Sequence, residues 1–159
     1  MAIHLICVGG LKERYWREAA DEYRKRLERY CSVTIDEVKE ERAPEKPSAA
    51  EENAVKEAEG RALLRRVKSG SRIVALDARG VSLSSEAFAE RLAALPHAGV
   101  DRAVFLVGGP LGLADSVFAR ADLRLSLSEM TFPHRMARVI LLEQLYRAFK
   151  ILRGEAYHK

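Results

Sequence analysis

Three short stretches of the chain are rich in glycine or in polar residues, which suits ligand binding. They are LDARG at 76–80, VGGPLG at 107–112 and LSEMTFP at 127–133. Glycine lets the main chain approach a ligand without an intervening side chain. GGPLG has neither the GxGxxG nor the Walker spacing, so it does not indicate a phosphate site. A tight strand-to-helix turn explains its glycines equally well.

Each of these stretches follows a segment with the pattern of a β-strand, and helical patterns separate the segments. Apolar or alternating runs predict strands at 3–8, 32–38, 72–77, 101–109 and 123–127. Periodicity and caps predict helices at about 11–30, 48–70, from Ser84, at 113–120 and from Pro133 onward. This alternation predicts an α/β fold with a mostly parallel sheet flanked by helices. Ligands of such sheets bind beyond the carboxyl ends of the strands, where the three stretches lie.

The length and composition indicate a single domain over 1–159. The chain has 159 residues, of which 48% are hydrophobic and 31% charged, and it shows no internal repeat. The charged, proline-containing segment 39–50 predicts a mobile loop. Ser48 and Glu51 have the spacing of a capping box, which predicts that a helix begins directly after this loop.

The sequence contains no apolar run long enough for a membrane span and no signal-peptide pattern at its start, so we expect a cytoplasmic protein. Cys7 and Cys31 lack the spacing of a metal site and are expected to be buried thiols. We therefore expect no metal.

The positive charge is concentrated at the carboxyl-terminal end. The net charge is +4, and residues 133–159 hold six basic and two acidic side chains, whereas the first 132 residues hold 21 of each. Such an element suits a polyanion such as RNA, although a solvated helix face explains it equally well on charge alone.

The three stretches and the carboxyl-terminal segment together resemble the SPOUT class of methyltransferases. Within that class they resemble the single-domain ribosomal RNA large subunit methyltransferase H family. The resemblance covers the whole chain and is most specific in LSLSEMTFPHRMARVILLEQLYRAFKI and RGEAYHK. It implies a single SPOUT domain with a deep carboxyl-terminal trefoil knot at about 72–152, an exception to the rule that chains do not thread.

The resemblance also implies a bent S-adenosyl-L-methionine held among the loops after three strands. The main chain of the last loop would bind the adenine, with Leu76 and Met130 as apolar walls. Phe132 and Leu127 are equally explained as core residues. The implied cofactor-binding residues are Leu76, Gly108, Gly109, Leu127, Ser128, Glu129, Met130, Thr131 and Phe132.

The reaction implied by the resemblance is methylation of N3 of a pseudouridine in large-subunit (23S) ribosomal RNA. Candidate catalytic residues are His134, Arg138, Tyr157 and His158, because histidine titrates in the right range and arginine neutralises an anionic base or holds phosphate. Each has a simpler explanation: His134 as a helix cap, Arg138 as a partner of Glu143, and the last two as a free tail. The general base is left open.

The last helix is apolar around its full circumference at 139–142, which one buried face does not require. A second subunit accounts for this pattern, and the resemblance implies a homodimer packed through the carboxyl-terminal helix. Two other functions remain open: a nucleotide-binding enzyme of Rossmann type, and a non-catalytic RNA-binding protein.

Overall fold

Alternating strands and helices run through residues 1–157, which are the residues that the computed structural model describes. Within this range the elements, in chain order, are β1 (Ala2–Val8), α1 (Arg14–Leu27), β2 (Ser32–Val38), α2 (Ala49–Leu64), β3 (Arg72–Ser82), α3 (Ser85–His97), β4 (Arg102–Val107), α4 (Asp115–Arg120), β5 (Leu123–Ser126) and α5 (His134–Leu152).

The strands form one sheet in the order β2-β1-β4-β3-β5, and each pairing between neighbours is parallel. The predicted α/β fold with a parallel sheet is therefore confirmed. Because the strands are parallel, the loops that follow them meet at one edge of the sheet. The trefoil knot stays a prediction.

Helices cover both faces of the sheet. On one face, α1, α3 and α5 enclose a core that contains Phe105, Leu141 and Leu145. On the other face, α2 and α4 pack over a second cluster that contains Leu63 and Leu106. Burial on both faces explains why β1, apart from His4, and β4, after Arg102, are apolar without polar alternation.

Local capping signals begin two helices where the sequence predicted. Ser48 N–H donates to Glu51 Oε2 at 2.8 Å and Glu51 N–H donates to Ser48 Oγ at 3.2 Å, so the capping box is confirmed. Ser84 Oγ accepts from the Ala87 N–H at 3.2 Å. The predicted loop lacks helix and strand from 39 to 48, and its mobility stays a prediction.

Three predicted elements had wrong boundaries. Helix α1 begins at Arg14 rather than near 11, because Gly9, at φ 71°, starts a turn that occupies the positions before it, and the helix ends at Leu27 rather than near 30. Helix α2 ends at Leu64 rather than near 70. Strand β3 continues to Ser82, with a shift in its pairing to β5 between Leu76 and Val81.

Gly80 permits this continuation of β3. A Cβ on Gly80 would lie 2.6 Å from the Arg124 carbonyl oxygen, which is too close for any side chain. The stretch 76–80 is thus an irregular part of a strand and not a loop after it.

Both cysteines are buried, as predicted. Burial raises the pKa of the Cys7 thiol to about 12 and that of Cys31 to about 11, so both remain protonated and unreactive near neutral pH. Among the described residues, none of the helices has the length and apolar character needed to cross a bilayer.

Helix α5 buries most of its apolar side chains against its own chain. It contacts both α1 and α3, and Leu141, Leu142 and Leu145 are completely buried. Met136 and Ile140, one turn apart, are only half-buried. These two positions, together with Leu152 at 41% exposure, are apolar surface that α5 does not bury within its own chain.

Candidate cofactor cleft and active site

A cleft between the irregular part of β3 and the segments that follow β4 and β5 brings the three predicted stretches together. We call it the cofactor cleft. Its wall contains eight of the nine predicted cofactor-binding residues, namely Leu76, Gly108, Gly109, Leu127, Ser128, Met130, Thr131 and Phe132. Glu129, the ninth, is not part of the wall. The parallel sheet explains this convergence, because residues more than 50 positions apart in the chain follow neighbouring strands.

The loop 127–133 is shaped by its own hydroxyl groups. Ser126 Oγ donates to the Ser128 carbonyl oxygen at 2.8 Å, and the Met130 N–H donates to Ser128 Oγ at 3.0 Å. These local bonds replace strand pairing and explain why the segment is rich in serine. Met130 contributes to the wall, but 74% of its surface is exposed.

The glycines of 107–112 are required by the turn itself as well as suited to a ligand. A Cβ on Gly108 would lie 2.8 Å from the Gly112 carbonyl carbon, and Gly112 has φ 84°. A Cβ on Gly109 would meet a Val8 methyl group at 3.0 Å and Glu59 Oε2 at 3.4 Å. The glycines are therefore needed for the tight turn, and they also leave bare main chain at the cleft for a ligand.

Asp77 and Ala137 also line the cleft, although neither was predicted. The Asp77 carboxylate accepts from Arg124 Nε at 3.1 Å and also from its Nη2, and the Arg124 guanidinium lies 4.1 Å from the ring centre of Phe118. Asp77 could have been predicted as a cleft residue, because it directly follows Leu76 in the chain. No pattern in the sequence predicts that Ala137 lines the cleft. It does so because the first turn of α5 lies beside the cleft.

His134 is the first residue of α5, and it lines the cofactor cleft. Pro133 is the N-cap residue, one position before its predicted place, and no side chain caps this helix end. Burial, and next the charge of Arg135, lowers the pKa of His134, so its imidazole is neutral near pH 7. A neutral imidazole at the edge of the cleft is able to accept a proton.

Arg138 lies outside the cofactor cleft, and its guanidinium is buried, with 2% exposure. Nη1 donates to Glu37 Oε1 at 2.6 Å and Nη2 donates to the Gly9 carbonyl oxygen at 2.6 Å. The suggested pairing with Glu143 was wrong, because Glu143 pairs with Arg147. Arg138 thus connects α5 to the ends of β1 and β2, and its substrate role stays a prediction.

Tyr157 packs on α5 of its own chain. Its hydroxyl donates to Glu143 Oε1 at 3.1 Å, and its ring meets Tyr146 edge-on with 4.9 Å between centroids. Burial and hydrogen bonds with Tyr23 and Glu143 raise the pKa of Tyr157 far above its usual range, so the phenol stays protonated. The free-tail explanation fails for this residue, and His158 lies outside the described residues.

Tyr157 and His134 do not share a site within one chain. Tyr157 contacts helix positions 143–147, which lie nine to thirteen residues after His134. At about 1.5 Å per residue this corresponds to about 14–20 Å along α5. Within one chain the two side chains are therefore too far apart to contact the same base.

Comparison with known proteins identifies the family of this chain. A family model described as "Predicted SPOUT methyltransferase" matches residues 1–158. The chain belongs to the SPOUT methyltransferase family. This SPOUT protein is 47% identical to a protein of Clostridium botulinum, 48% to one of Alkaliphilus oremlandii and 49% to one of Clostridium acetobutylicum. Each match covers 100% of both chains, and each relative is named "Ribosomal RNA large subunit methyltransferase H".

One solved structure resembles this SPOUT chain distantly. It is that of a probable methylase family protein from Haemophilus influenzae, with 12% identity and a TM-score of 0.49. The match covers 96% of this chain and 66% of the other. A likeness at this level adds nothing to the family assignment.

The cofactor of this family, S-adenosylmethionine, is compatible with the residues of the cleft. Leu76, Leu127 and Phe132 offer apolar walls to an adenine, and Gly108 and Gly109 offer bare main chain. The cleft measures about 130 Å³. Small-molecule sites usually span about 300–1,000 Å³, so the cleft of the single chain is smaller than such sites usually are. Among residues 1–157, no cluster of three potential metal-ligating side chains is present, and the metal-free reaction stays a prediction.

Proposed function

We propose that this SPOUT protein methylates N3 of a pseudouridine in large-subunit ribosomal RNA, with S-adenosylmethionine as the methyl donor. The observation that carries the proposal is the convergence of eight predicted cofactor-binding residues in one cleft. The full-length relatives, which are named for ribosomal RNA, support the substrate. RNA binding without catalysis gives this cleft no role, and the family match to SPOUT methyltransferases does not support a Rossmann-type nucleotide enzyme.

The bound cofactor supplies a methyl group that its positive sulfur has already activated. The protein therefore has to align the base and accept the N3 proton. Neutral His134, at the edge of the cleft, is our candidate for the proton acceptor. The basic side chains of the carboxyl-terminal element supply charge for the RNA backbone.

We expect calorimetry to show S-adenosylmethionine binding and no comparable binding of NAD or ATP. Phe132→Ala removes an apolar wall and should weaken the affinity about tenfold, or about 1.4 kcal/mol. Tyr15→Ala, an exposed aromatic residue outside the cleft, serves as the matched control. Amide exchange in 127–132 should slow on binding, because residues of this loop line the cleft and a bound ligand would restrict their motion. Preferential binding of NAD or ATP would contradict the proposed function.

We also propose that α5 forms the contact of a homodimer, through Met136 and Ile140. Both are half-buried in the single chain, and a second subunit would cover them. Such a dimer would carry the Tyr157 end of one α5 toward the cofactor cleft of the other chain.

Met136→Glu should convert the dimer to a folded monomer, because a charge in this contact would be desolvated without a partner. Sedimentation analysis would then give a mass near 17.8 kDa instead of twice that value. Arg153→Glu, exposed just beyond α5, should leave the dimer intact. Leu142→Glu should instead unfold the chain, since Leu142 is completely buried. A dimer that survives Met136→Glu would move the contact to another surface.

A further inference from the structure

One edge of the sheet, along β2, is open. In the strand order β2-β1-β4-β3-β5, β2 pairs with β1 alone, so one side of its main chain has no strand beside it. Within residues 1–157, the segment 33–37 makes no main-chain hydrogen bond to other main-chain groups outside that pairing. The other edge strand, β5, has four residues, whereas β2 has seven. A long open edge offers main-chain donors and acceptors to a further strand.

A groove runs along this edge, and we call it the β2 groove. Five consecutive residues of β2, 33–37, line it. Successive side chains of a strand point to opposite faces, so a space that all five residues line lies beside the main chain and not over one face. Helix α1 forms one wall, which includes Arg17 and Arg24, and Arg66, beyond the end of α2, lies in the other wall. The groove measures about 830 Å³.

The main chain of β2 is accessible and unblocked. Natural sheets often protect an edge with proline, a bulge or a short strand. Strand β2 contains neither proline nor glycine, and its register with β1 is regular from Ser32 to Val38. Thr34 is exposed, and Ile35 is half-buried. A partner strand would therefore meet an edge that already has strand geometry.

The charge of the groove indicates which partner it suits. Five basic side chains and three acidic ones line it, a surplus of two positive charges. They are Lys12, Arg17, Arg24, Arg66 and Arg138 against Asp21, Asp36 and Glu37. The surplus favours a partner that carries carboxylates.

The surplus charge belongs to Lys12 and Arg17. Each acidic side chain of the groove already has a basic partner, in the pairs Asp21–Arg24, Asp36–Arg66 and Glu37–Arg138. Lys12 and Arg17 are exposed, and neither has a carboxylate partner among the described residues. Arg17 Nη1 donates only to main-chain oxygens, those of Leu11 at 3.1 Å and Lys12 at 2.5 Å. Both cations are thus available to a partner.

We propose that the β2 groove binds an acidic polypeptide segment, which adds to the sheet as a further strand. The main chain of the segment bonds to the open side of β2, and its side chains alternate between the two faces. Carboxylates on one face then meet Arg17 and Arg24, and those on the other meet Arg66. The groove lies at the opposite edge of the sheet from β5, so the segment leaves the cofactor cleft free. This inference does not depend on the proposed function.

Two other occupants suit the groove less well. A second copy of the chain, paired edge to edge through β2, would bring positive charge against positive charge. The phosphates of an RNA strand accept hydrogen bonds but do not donate them, so they would leave the outward carbonyl groups of β2 unpaired. An acidic peptide main chain supplies both donors and acceptors.

A capped peptide of alternating glutamate and valine, with the seven-residue length of β2, is the probe. We expect it to bind the wild type in a fluorescence anisotropy titration. Amide hydrogen exchange in 33–37 should slow on binding, because outward N–H groups gain acceptors. The same peptide with lysine in place of glutamate should bind at least ~10-fold more weakly.

Methylation of the peptide nitrogens separates strand pairing from charge attraction. One version carries N-methyl groups at its odd positions and another at its even positions, and both keep all the carboxylates. In a strand, alternate N–H groups point to one side, so only one version loses the donors that face β2. That version should bind at least ~10-fold more weakly than the unmodified peptide.

Arg17→Gln combined with Arg66→Gln removes one cation from each wall of the groove. This double variant should bind the acidic peptide about tenfold more weakly at low salt, and the difference should shrink as salt rises. Lys25→Gln combined with Arg61→Gln is the matched control, because it removes the same charge from exposed positions outside the groove. The control should keep the wild-type affinity. Cofactor affinity and the urea midpoint should be unchanged in both double variants.

Several results would overturn the proposal, and the peptide comparisons need only the wild type. They are no binding of the acidic peptide at millimolar concentration, binding without slower exchange in 33–37, and equal binding of both N-methylated versions and the unmodified peptide. If oligouridylate binds instead and loses affinity in the groove double variant, the groove is an RNA surface. If exchange in 33–37 slows when the protein alone is concentrated, the groove is a contact between copies of this chain.

Discussion

Removal of residues 157–159 should reduce methyl transfer by at least ~100-fold while leaving the fold and the cofactor affinity nearly intact. Helix α5 ends at Leu152, before this segment. Gly154, at φ 63°, changes the direction of the chain after the helix. Tyr157 contacts the outer side of α5 at Glu143 and Tyr146, about 14–20 Å along the helix from His134. Loss of its ring contact should cost about 0.5–1.5 kcal/mol, and loss of its hydrogen bond to Glu143 should cost about 0.5–1.5 kcal/mol more. The truncation therefore tests catalysis and not folding.

Mixed dimers test whether the tail acts on the partner's cleft. Thr131→Arg should block cofactor binding, because Thr131 is exposed and lines the cleft, so a long side chain fills the space without disturbing the core. A truncated chain paired with a Thr131→Arg chain retains one intact cleft and one intact tail, on different subunits. Such heterodimers should recover about half of the wild-type rate. Inactive heterodimers would show that the tail serves its own chain.

Replacement of Arg138 by Met should lower the free energy of unfolding by about 2–4 kcal/mol. The Gly9 carbonyl group is buried and would lose a charged donor, whereas the Glu37 side chain, 47% exposed, is able to recover water. Arg138→Lys should restore only part of this loss, because a single ammonium group does not span both acceptors. Urea unfolding followed by circular dichroism measures both variants.

The control for Arg138 is Arg24→Met. Arg24 pairs with Glu28 at 2.6 Å on the surface of α1, and such pairs contribute about 0.5 kcal/mol or less. The opposite result is that Arg138→Met unfolds at the same urea concentration as the wild type and no longer binds ribosomes. That result would show that Arg138 contacts the substrate and that its buried contacts do not stabilise the fold.

The sequence by itself determined the features that depend on neighbours in the chain. Each strand was located from its apolar or alternating run, although the end of β3 was not, and the capping box of Ser48 and Glu51 correctly marked the beginning of α2. The polar loop 127–133 and the two glycines of 107–112 were predicted to bind a ligand, and the structure places them in one cleft. These patterns depend on residues two to four positions apart, whose side chains and main chain contact each other within one segment.

Only the tertiary structure decided which side chains meet across the sheet. Arg138 pairs with Glu37 and Gly9, 101 and 129 positions away, although Glu143 is much nearer in the chain. Glu59 lies behind Gly109 for the same kind of reason, and no local pattern marks its unpaired oxygen. In the sheet order β2-β1-β4-β3-β5, several neighbouring strands are far apart in the chain. Residues that are distant in sequence therefore lie close together in space. Buried polar partners therefore depend on which strand ends become neighbours, and that choice belongs to the packing of the whole core.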